Sequence, residues 1–187
     1  MSGDMFHGIP GISVPTMDKA RGINPFKIYS IVVSPDGRLA ATGLSFGTIR
    51  IYDFTTHKYL YRLEGHLDRV TSLAFSADSQ SLISSGLDNV VRVWDVSSRE
   101  DGHEMRVIAD HNGSVTSLAV SAVGNIFVSA GVDGTARVYD GTTLEPIATF
   151  VNVGDQDFAV LSPDNYYSAT PKAASGLAFR QANQVFT

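Results

Sequence analysis

A unit of about 40 to 45 residues repeats along this chain and constrains its fold more than any other feature. The unit is clearest over Gly65–Asp95, where short apolar alternating runs are separated by polar turns, and this pattern predicts short antiparallel strands. Each copy has a serine where its first run ends, at Ser34, Ser76, Ser121 and Ser162, so the spacings are 42, 45 and 41 residues. Regular spacing of this kind predicts stacked copies of one supersecondary unit.

The strand that ends at Asp95 recurs in two other copies and carries a family resemblance. It appears as IRIYD at Ile49–Asp53 and as ARVYD at Ala136–Asp140. With four strands per unit, the chain resembles the WD-repeat β-propeller family, well over 29–150 and poorly from 157 onward. The resemblance implies an all-β fold, a propeller arc of three four-stranded antiparallel blades plus a degenerate partial fourth blade.

The repeats divide the chain into five segments. Glycines and prolines without a sustained period predict an irregular lead-in over 1–25, with one candidate edge strand at Gly11–Val14. The other segments are blade 1 (26–64), blade 2 (65–109), blade 3 (110–151) and a degenerate partial blade or capping tail (152–187). An insertion at 97–104 precedes the outer strand of blade 2 and accounts for the longer spacing to the next copy.

Composition argues against several classes of function. The net charge of −5 and the pI near 5.4 disfavour a nucleic acid partner, which would need a clustered basic surface. The absence of cysteine excludes disulfides and thiolate metal sites. The sequence contains neither a signal-peptide pattern at its start nor the ~20 apolar residues of a membrane span. We therefore expect a soluble cytoplasmic protein with no membrane partner and no cofactor.

The resemblance also implies a buried hydrogen-bond relay inside each blade. In the family this relay links a His before the first strand, a Ser or Thr on the second, an Asp in the next turn and an aromatic residue on the third. The matching positions are His66, Ser84, Asp88 and Trp94 in blade 2, and His111, Ser129, Asp133 and Tyr139 in blade 3. The positions in blade 1 hold Asn24, Thr42, Phe46 and Tyr52, and the fourth copy retains at most Asn152 and Thr170. The relay of blade 1 should therefore be broken.

A His, Asp and Ser trio is also the inventory of a hydrolytic triad. Its repetition at the blade period favours the structural relay, because one active site does not need copies on neighbouring blades. Buried polar groups without partners cost about 1–3 kcal/mol each, which gives the relay its physical purpose. We expect no catalytic residue in this chain.

Other polar clusters give weaker indications of a site. His7, His57 and His103 are spaced too irregularly for zinc ligands and are predicted to lie in solvated loops. The acidic cluster Glu100, Asp101 and Glu104 predicts a solvated loop, with an acidic docking loop as the lesser alternative. The GVDGT segment at 131–135 is a turn between strands and not a phosphate loop, because it has no GxxxxGK[ST] context. We expect no metal site.

Apolar residues near the turns between second and third strands form the candidate partner site. Phe46, Leu87 and Val132 stand where family members have a polar or acidic residue, on a face that family propellers use to hold partners. Arg69 and Asn112 should border the same face. The alternative is that these are isolated surface apolar residues, which are ordinary. The resemblance thus implies a non-catalytic scaffold that mediates protein–protein interaction through its loop rims.

Three blades and a remnant cannot close a ring, because propellers have 4 to 8 blades. The chain is a fragment of a longer one, or a homo-oligomer completes a closed propeller, or the terminal segments cap the open faces. The tail at 157–174 is similar to the closing segment of bacterial WD-repeat proteins that carry a further module, such as a caspase-like peptidase. The alternative function is therefore a regulatory or substrate-recruiting part of a larger multidomain enzyme.

Overall fold

A computed structural model describes residues 27–123, 125–164, 166–176, 179–181 and 184–186. The predicted lead-in over 1–25 lies outside the described residues, and so do its candidate edge strand, His7 and Asn24.

Three sets of four antiparallel strands follow one another along the chain, each paired in sequence order. The strands of blade 1 are β1 (Ile28–Val33), β2 (Leu39–Leu44), β3 (Ile49–Asp53) and β4 (Lys58–Leu63). Those of blade 2 are β5 (Val70–Phe75), β6 (Ser81–Gly86), β7 (Val91–Asp95) and β8 (His103–Ile108). Those of blade 3 are β9 (Val115–Val120), β10 (Ile126–Gly131), β11 (Thr135–Asp140) and β12 (Pro146–Asn152). The predicted all-β arc of four-stranded blades is confirmed.

The serine that marks the repeat period closes the turn between the first two strands of a blade. In blade 1 the Ser34 hydroxyl accepts the N–H of Leu39 at 2.9 Å and donates to Asp36 at 2.6 Å. The Ser76 hydroxyl of blade 2 accepts the N–H of Ser81 at 2.9 Å in the same way. The period in the sequence therefore records a repeated local hydrogen-bond pattern.

The blades pack against one another through two apolar clusters. The first joins residues such as Ile51 and Leu63 of blade 1 to Leu73 and Trp94 of blade 2. The second joins residues such as Val93 of blade 2 to Phe127 and Tyr139 of blade 3, whose rings stack with centroids 4.9 Å apart. The inner strands β1, β5 and β9 lie beside one another. Each blade is thus stabilised by its neighbours, as in repeat proteins generally.

The tail extends blade 3 instead of starting another four-stranded sheet. Strand β13 (Phe158–Leu161) pairs antiparallel with β12, and β14 (Tyr167–Ala169) pairs with β13. The short link at 153–157 explains this pairing, because it brings the next strand back onto the free edge of β12. A short helix, α1 (Pro171–Gly176), follows, and strands β15 (Phe179–Gln181) and β16 (Gln184–Phe186) pair with each other.

The outer strand of blade 2 begins within the predicted insertion. His103 pairs with Asp95 and Glu104 pairs with Trp94, so both residues belong to β8. Glu104 also forms an ion pair with Arg92 of β7. The prediction that His103 and Glu104 lie in a solvated loop is therefore wrong, because ladder pairing and this ion pair hold them to the sheet. His57 does lie in a turn, between β3 and β4, with φ at 57°.

Candidate functional site

The four relay positions of blade 2 form one continuous chain of hydrogen bonds. Asp88 lies 2.9 Å from His66 Nδ1, and His66 Nε2 lies 2.8 Å from the Ser84 hydroxyl. Trp94 Nε1 donates to the same hydroxyl at 2.8 Å. Ser84 is fully buried, and His66 and Trp94 are nearly so. The chain links the loop before β5, strand β6, the β6–β7 turn and strand β7.

The chemistry of these side chains determines which group donates each hydrogen bond in the relay. An indole N–H can only donate, so Ser84 accepts from Trp94 and has its own O–H available for His66 Nε2. His66 then carries its proton on Nδ1 and donates it to the Asp88 carboxylate. Every polar group in the chain of contacts then has a hydrogen-bond partner.

Asp88 is held in its charged form by this arrangement. Burial by itself raises the pKa of the carboxyl, but the hydrogen bonds from His66 and from the Leu67 N–H outweigh burial and lower it. The Leu67 N–H donates to Asp88 at 2.9 Å. The relay therefore also fixes the backbone of the loop that precedes β5.

Blade 3 repeats the His–Asp and His–Ser contacts and adds an acidic acceptor for its aromatic residue. His111 lies 3.0 Å from Asp133 and 2.8 Å from the Ser129 hydroxyl. The Tyr139 hydroxyl donates to Asp110 at 3.3 Å. Burial, reinforced by the negative charge of Asp110, raises the pKa of Tyr139 to about 12.

The residue before the relay histidine supplies this acceptor. Asp110 stands in blade 3 where blade 2 has Gly65, since each precedes the relay histidine. A Cβ at Gly65 would lie 3.0 Å from both the Trp94 ring and the Arg92 guanidinium and 3.2 Å from the Glu104 carboxylate, so a side chain would fit there only if these neighbours shifted. In blade 3 this position carries the Asp110 carboxylate, which accepts the tyrosine hydroxyl.

Blade 1 has no corresponding chain of contacts among the described residues. The Thr42 hydroxyl is buried and has no hydrogen-bond partner in the part of the chain that the structure describes. Phe46, in the place of the relay Asp, leaves 67% of its surface exposed. In this blade the buried hydroxyl therefore has no described partner, and the position of the relay Asp holds an apolar residue that faces water.

The relay geometry does not present a nucleophile to a substrate. Ser84 and Ser129 are both fully buried, so a substrate has no direct approach to either hydroxyl. Among the described residues no group of three or more His, Cys, Asp or Glu side chains could hold a metal ion. No described helix has the length and apolar character needed to cross a bilayer.

The other candidate residues lie on the loops at one end of the blades. We call this surface the loop rim, and it comprises Phe46, Leu67, Arg69, Leu87, Asn112 and Val132. The rim contains the β2–β3, β6–β7 and β10–β11 turns and the loops that precede β5 and β9. Leu87 and Arg69 are half-buried, whereas Asn112 is exposed and Val132 leaves 68% of its surface exposed.

Backbone contacts join these loops from blade to blade. Gly47 packs so closely that a Cβ there would lie 2.0 Å from the His66 carbonyl oxygen. The Leu87 N–H donates to the Arg69 carbonyl at 2.9 Å. Ser114 bridges to blade 3, because its hydroxyl donates to the Leu87 carbonyl at 3.3 Å and its carbonyl accepts the Val132 N–H at 2.9 Å. The loop rim is therefore a connected surface across three blades.

Leu67 is the rim residue that the sequence analysis missed. It is 89% exposed, more than Phe46 or Val132, and it lies in the loop whose backbone Asp88 fixes. The available signal was a leucine between His66 and Asp68, in a polar loop where no core position is expected.

Comparison with known proteins establishes the family. The family model described as "WD domain, G-beta repeat" matches residues 23–53, 57–95 and 102–140, which together exceed half of the chain. The chain therefore belongs to the WD40 repeat family. The second and third matched repeats are each offset from a blade by one strand: 57–95 spans β4 to β7, and 102–140 spans β8 to β11.

Known relatives share only part of their length with this chain. "WD repeat and SOCS box-containing protein 1" of Danio rerio is 37% identical over 111 residues, which are 58% of this chain and 25% of that protein. "Transcription factor unc-37" of Caenorhabditis elegans is 40% identical over 73 residues, 39% of this chain and 12% of that protein. The chain thus spans about a quarter or less of these relatives.

Solved structures show the same fold. The structure described as "Crystal structure of RRP9 WD40 repeats" superposes with a TM-score of 0.64 at 16% sequence identity. The superposition covers 78% of this chain and 51% of that one.

Proposed function

We propose that this chain is a non-catalytic protein-binding module that holds its partner on the loop rim. The observation that carries the proposal is the exposure of three apolar side chains on three neighbouring loops: Phe46 at 67%, Leu67 at 89% and Val132 at 68%. Exposed apolar residues grouped on one face mark interaction sites more often than single scattered ones do. The contacts between the loops support their acting as one surface.

The buried relays support the rim from beneath. Asp88 accepts the Leu67 N–H at 2.9 Å, and Asp133 accepts the Asn112 N–H at 3.0 Å. Each relay therefore joins the blade interior to a loop of the rim. A loop fixed in this way loses less conformational entropy when a partner binds. This role requires no chemistry from the His, Ser and Asp side chains.

Substitution on the rim tests the proposal in a pull-down. Phe46→Asp and Leu87→Asp place a charge within the apolar surface, so we expect recovery of the partner to fall at least ~10-fold. Val123→Asp is the matched control, because Val123 is 84% exposed and lies in the β9–β10 turn at the other end of blade 3. Partner recovery that is unchanged for both rim variants would refute this choice of surface.

The alternative role, as a regulatory or substrate-recruiting part of a larger enzyme, stays a prediction, as do cytoplasmic location and self-association. The first of these is compatible with the proposal, because a binding module can also work within a longer chain.

A further inference from the structure

Irregularities at the inner strands direct side chains toward the next blade. The β1–β2 and β5–β6 ladders both shift register near the rim, between Ile28 and Ser30 and between Val70 and Ser72. The residues inside these two shifts are Tyr29 and Thr71. A bulge re-aims the side chain that it contains. Thr71 accordingly donates to the Val115 carbonyl of blade 3, and Tyr29 contacts Arg69 of blade 2.

Tyr29 holds the guanidinium of Arg69 against its ring. The central carbon of the guanidinium lies 3.9 Å from the ring centroid, a cation–π distance. Arg69 Nε is buried without a hydrogen-bond partner among the described residues, so the group is already partly removed from water. Stacking restricts the side chain, and the planar fork of donors suits a carboxylate in the same plane.

Cationic side chains stand at the same position of two neighbouring blades. Lys27 occupies the same place before β1 that Arg69 occupies before β5, and it is exposed. Asp68 is the acidic side chain next to Arg69, and it accepts the Arg69 backbone N–H at 2.6 Å. The nearby relay carboxylate Asp88 already accepts from His66 and Leu67. The neighbouring acidic groups therefore already accept hydrogen bonds from the chain itself, while the Arg69 guanidinium has the Tyr29 ring against it.

We propose that the loop rim recognises a peptide segment of its partner in which an acidic side chain is flanked by apolar residues. The carboxylate pairs with Arg69, held by Tyr29, and the flanking side chains cover Phe46 and Leu67. The apolar side chains of the peptide would bury the exposed apolar surface of the rim. The single oriented ion pair would fix the position of the peptide along the rim. The inference rests on the proposed binding function and adds the chemistry of the partner.

Selection from a library of random peptides, displayed on phage against the whole chain, tests this inference. We expect the selected peptides to be enriched in Asp or Glu with apolar neighbours. Affinity of a selected peptide should fall at least ~10-fold for Arg69→Gln, and less for Arg69→Lys, which keeps the charge but loses the fork. Arg38→Gln is the matched control, because Arg38 is an exposed arginine in the β1–β2 turn, at the other end of the blade. Circular dichroism of each variant verifies that the fold is retained.

The outcomes separate this inference from the function on which it rests. Peptides that lose affinity for Leu67→Asp but show no acidic enrichment and no response to Arg69→Gln would overturn the acidic recognition alone. Peptides whose affinity is unaffected by Leu67→Asp and Phe46→Asp would overturn the rim as a binding surface. A library that yields no binder would count against both.

Discussion

The Ser84→Ala variant tests whether the buried relay stabilises the blade. Ser84 is fully buried, and its hydroxyl serves two partners, His66 Nε2 and Trp94 Nε1, each at 2.8 Å. Alanine removes the hydroxyl and leaves both groups buried without a partner. At about 1–3 kcal/mol for each of the two orphaned groups, we expect the free energy of unfolding to fall by about 2–6 kcal/mol.

The neighbouring Ser85 provides a matched control. It lies on the same strand, is also fully buried, and contacts the Thr71 hydroxyl at 3.0 Å. Thr71 keeps its bond to the Val115 carbonyl when Ser85 becomes alanine, so we expect a loss of about 1 kcal/mol or less. Urea unfolding followed by circular dichroism measures both variants. Equal losses for the two variants would refute the relay as a source of stability.

Two further predictions concern a turn and a carboxylate. Gly47→Ala should lower the melting temperature more than Gly37→Ala. Both glycines have positive φ, but only an alanine at position 47 would place its Cβ 2.0 Å from a backbone oxygen. Equal effects of the two substitutions on the melting temperature would contradict this prediction. Burial raises the pKa of Asp133, but hydrogen bonds from Thr135, Asn112 and His111 outweigh it and lower the pKa to about 2. The charged carboxylate therefore stabilises the fold fully above its ordinary pKa of 3.8, and this stabilisation is lost as the pH falls toward 2. In urea titrations at several pH values, Asp133→Asn should weaken the loss of stability at acid pH. A loss equal to that of the unmodified protein would contradict this prediction.

The repeat pattern predicted the blades because its determinants are local. Short alternating runs and the serine turns depend on neighbours within a few residues, as the bond from Leu39 to Ser34 shows. The relay positions could be located for a similar reason. The family spacing places His66, Asp88 and Trp94 at set points of one repeat, and the structure brings all three together with Ser84.

Features that depend on contacts between distant segments were not predictable in this way. The pairing of β13 with β12 depends on a free sheet edge, which the local sequence does not record. The bond from Tyr139 to Asp110 joins residues 29 apart, so the pattern within one strand does not indicate it. Stacking of Arg69 on Tyr29 joins two blades and depends on a register shift. Leu67 was missed because its exposure depends on how the loop is fixed by Asp88.

Fluorescence of the single tryptophan tests most directly the claim that the blades pack with their relays inside and their apolar loops outside. Trp94 is the only tryptophan in the chain, and it leaves 2% of its surface exposed between blades 1 and 2. We predict blue-shifted emission with little quenching by acrylamide in the native protein, and a red shift with strong quenching in urea. Native emission and quenching equal to those in urea would contradict the account.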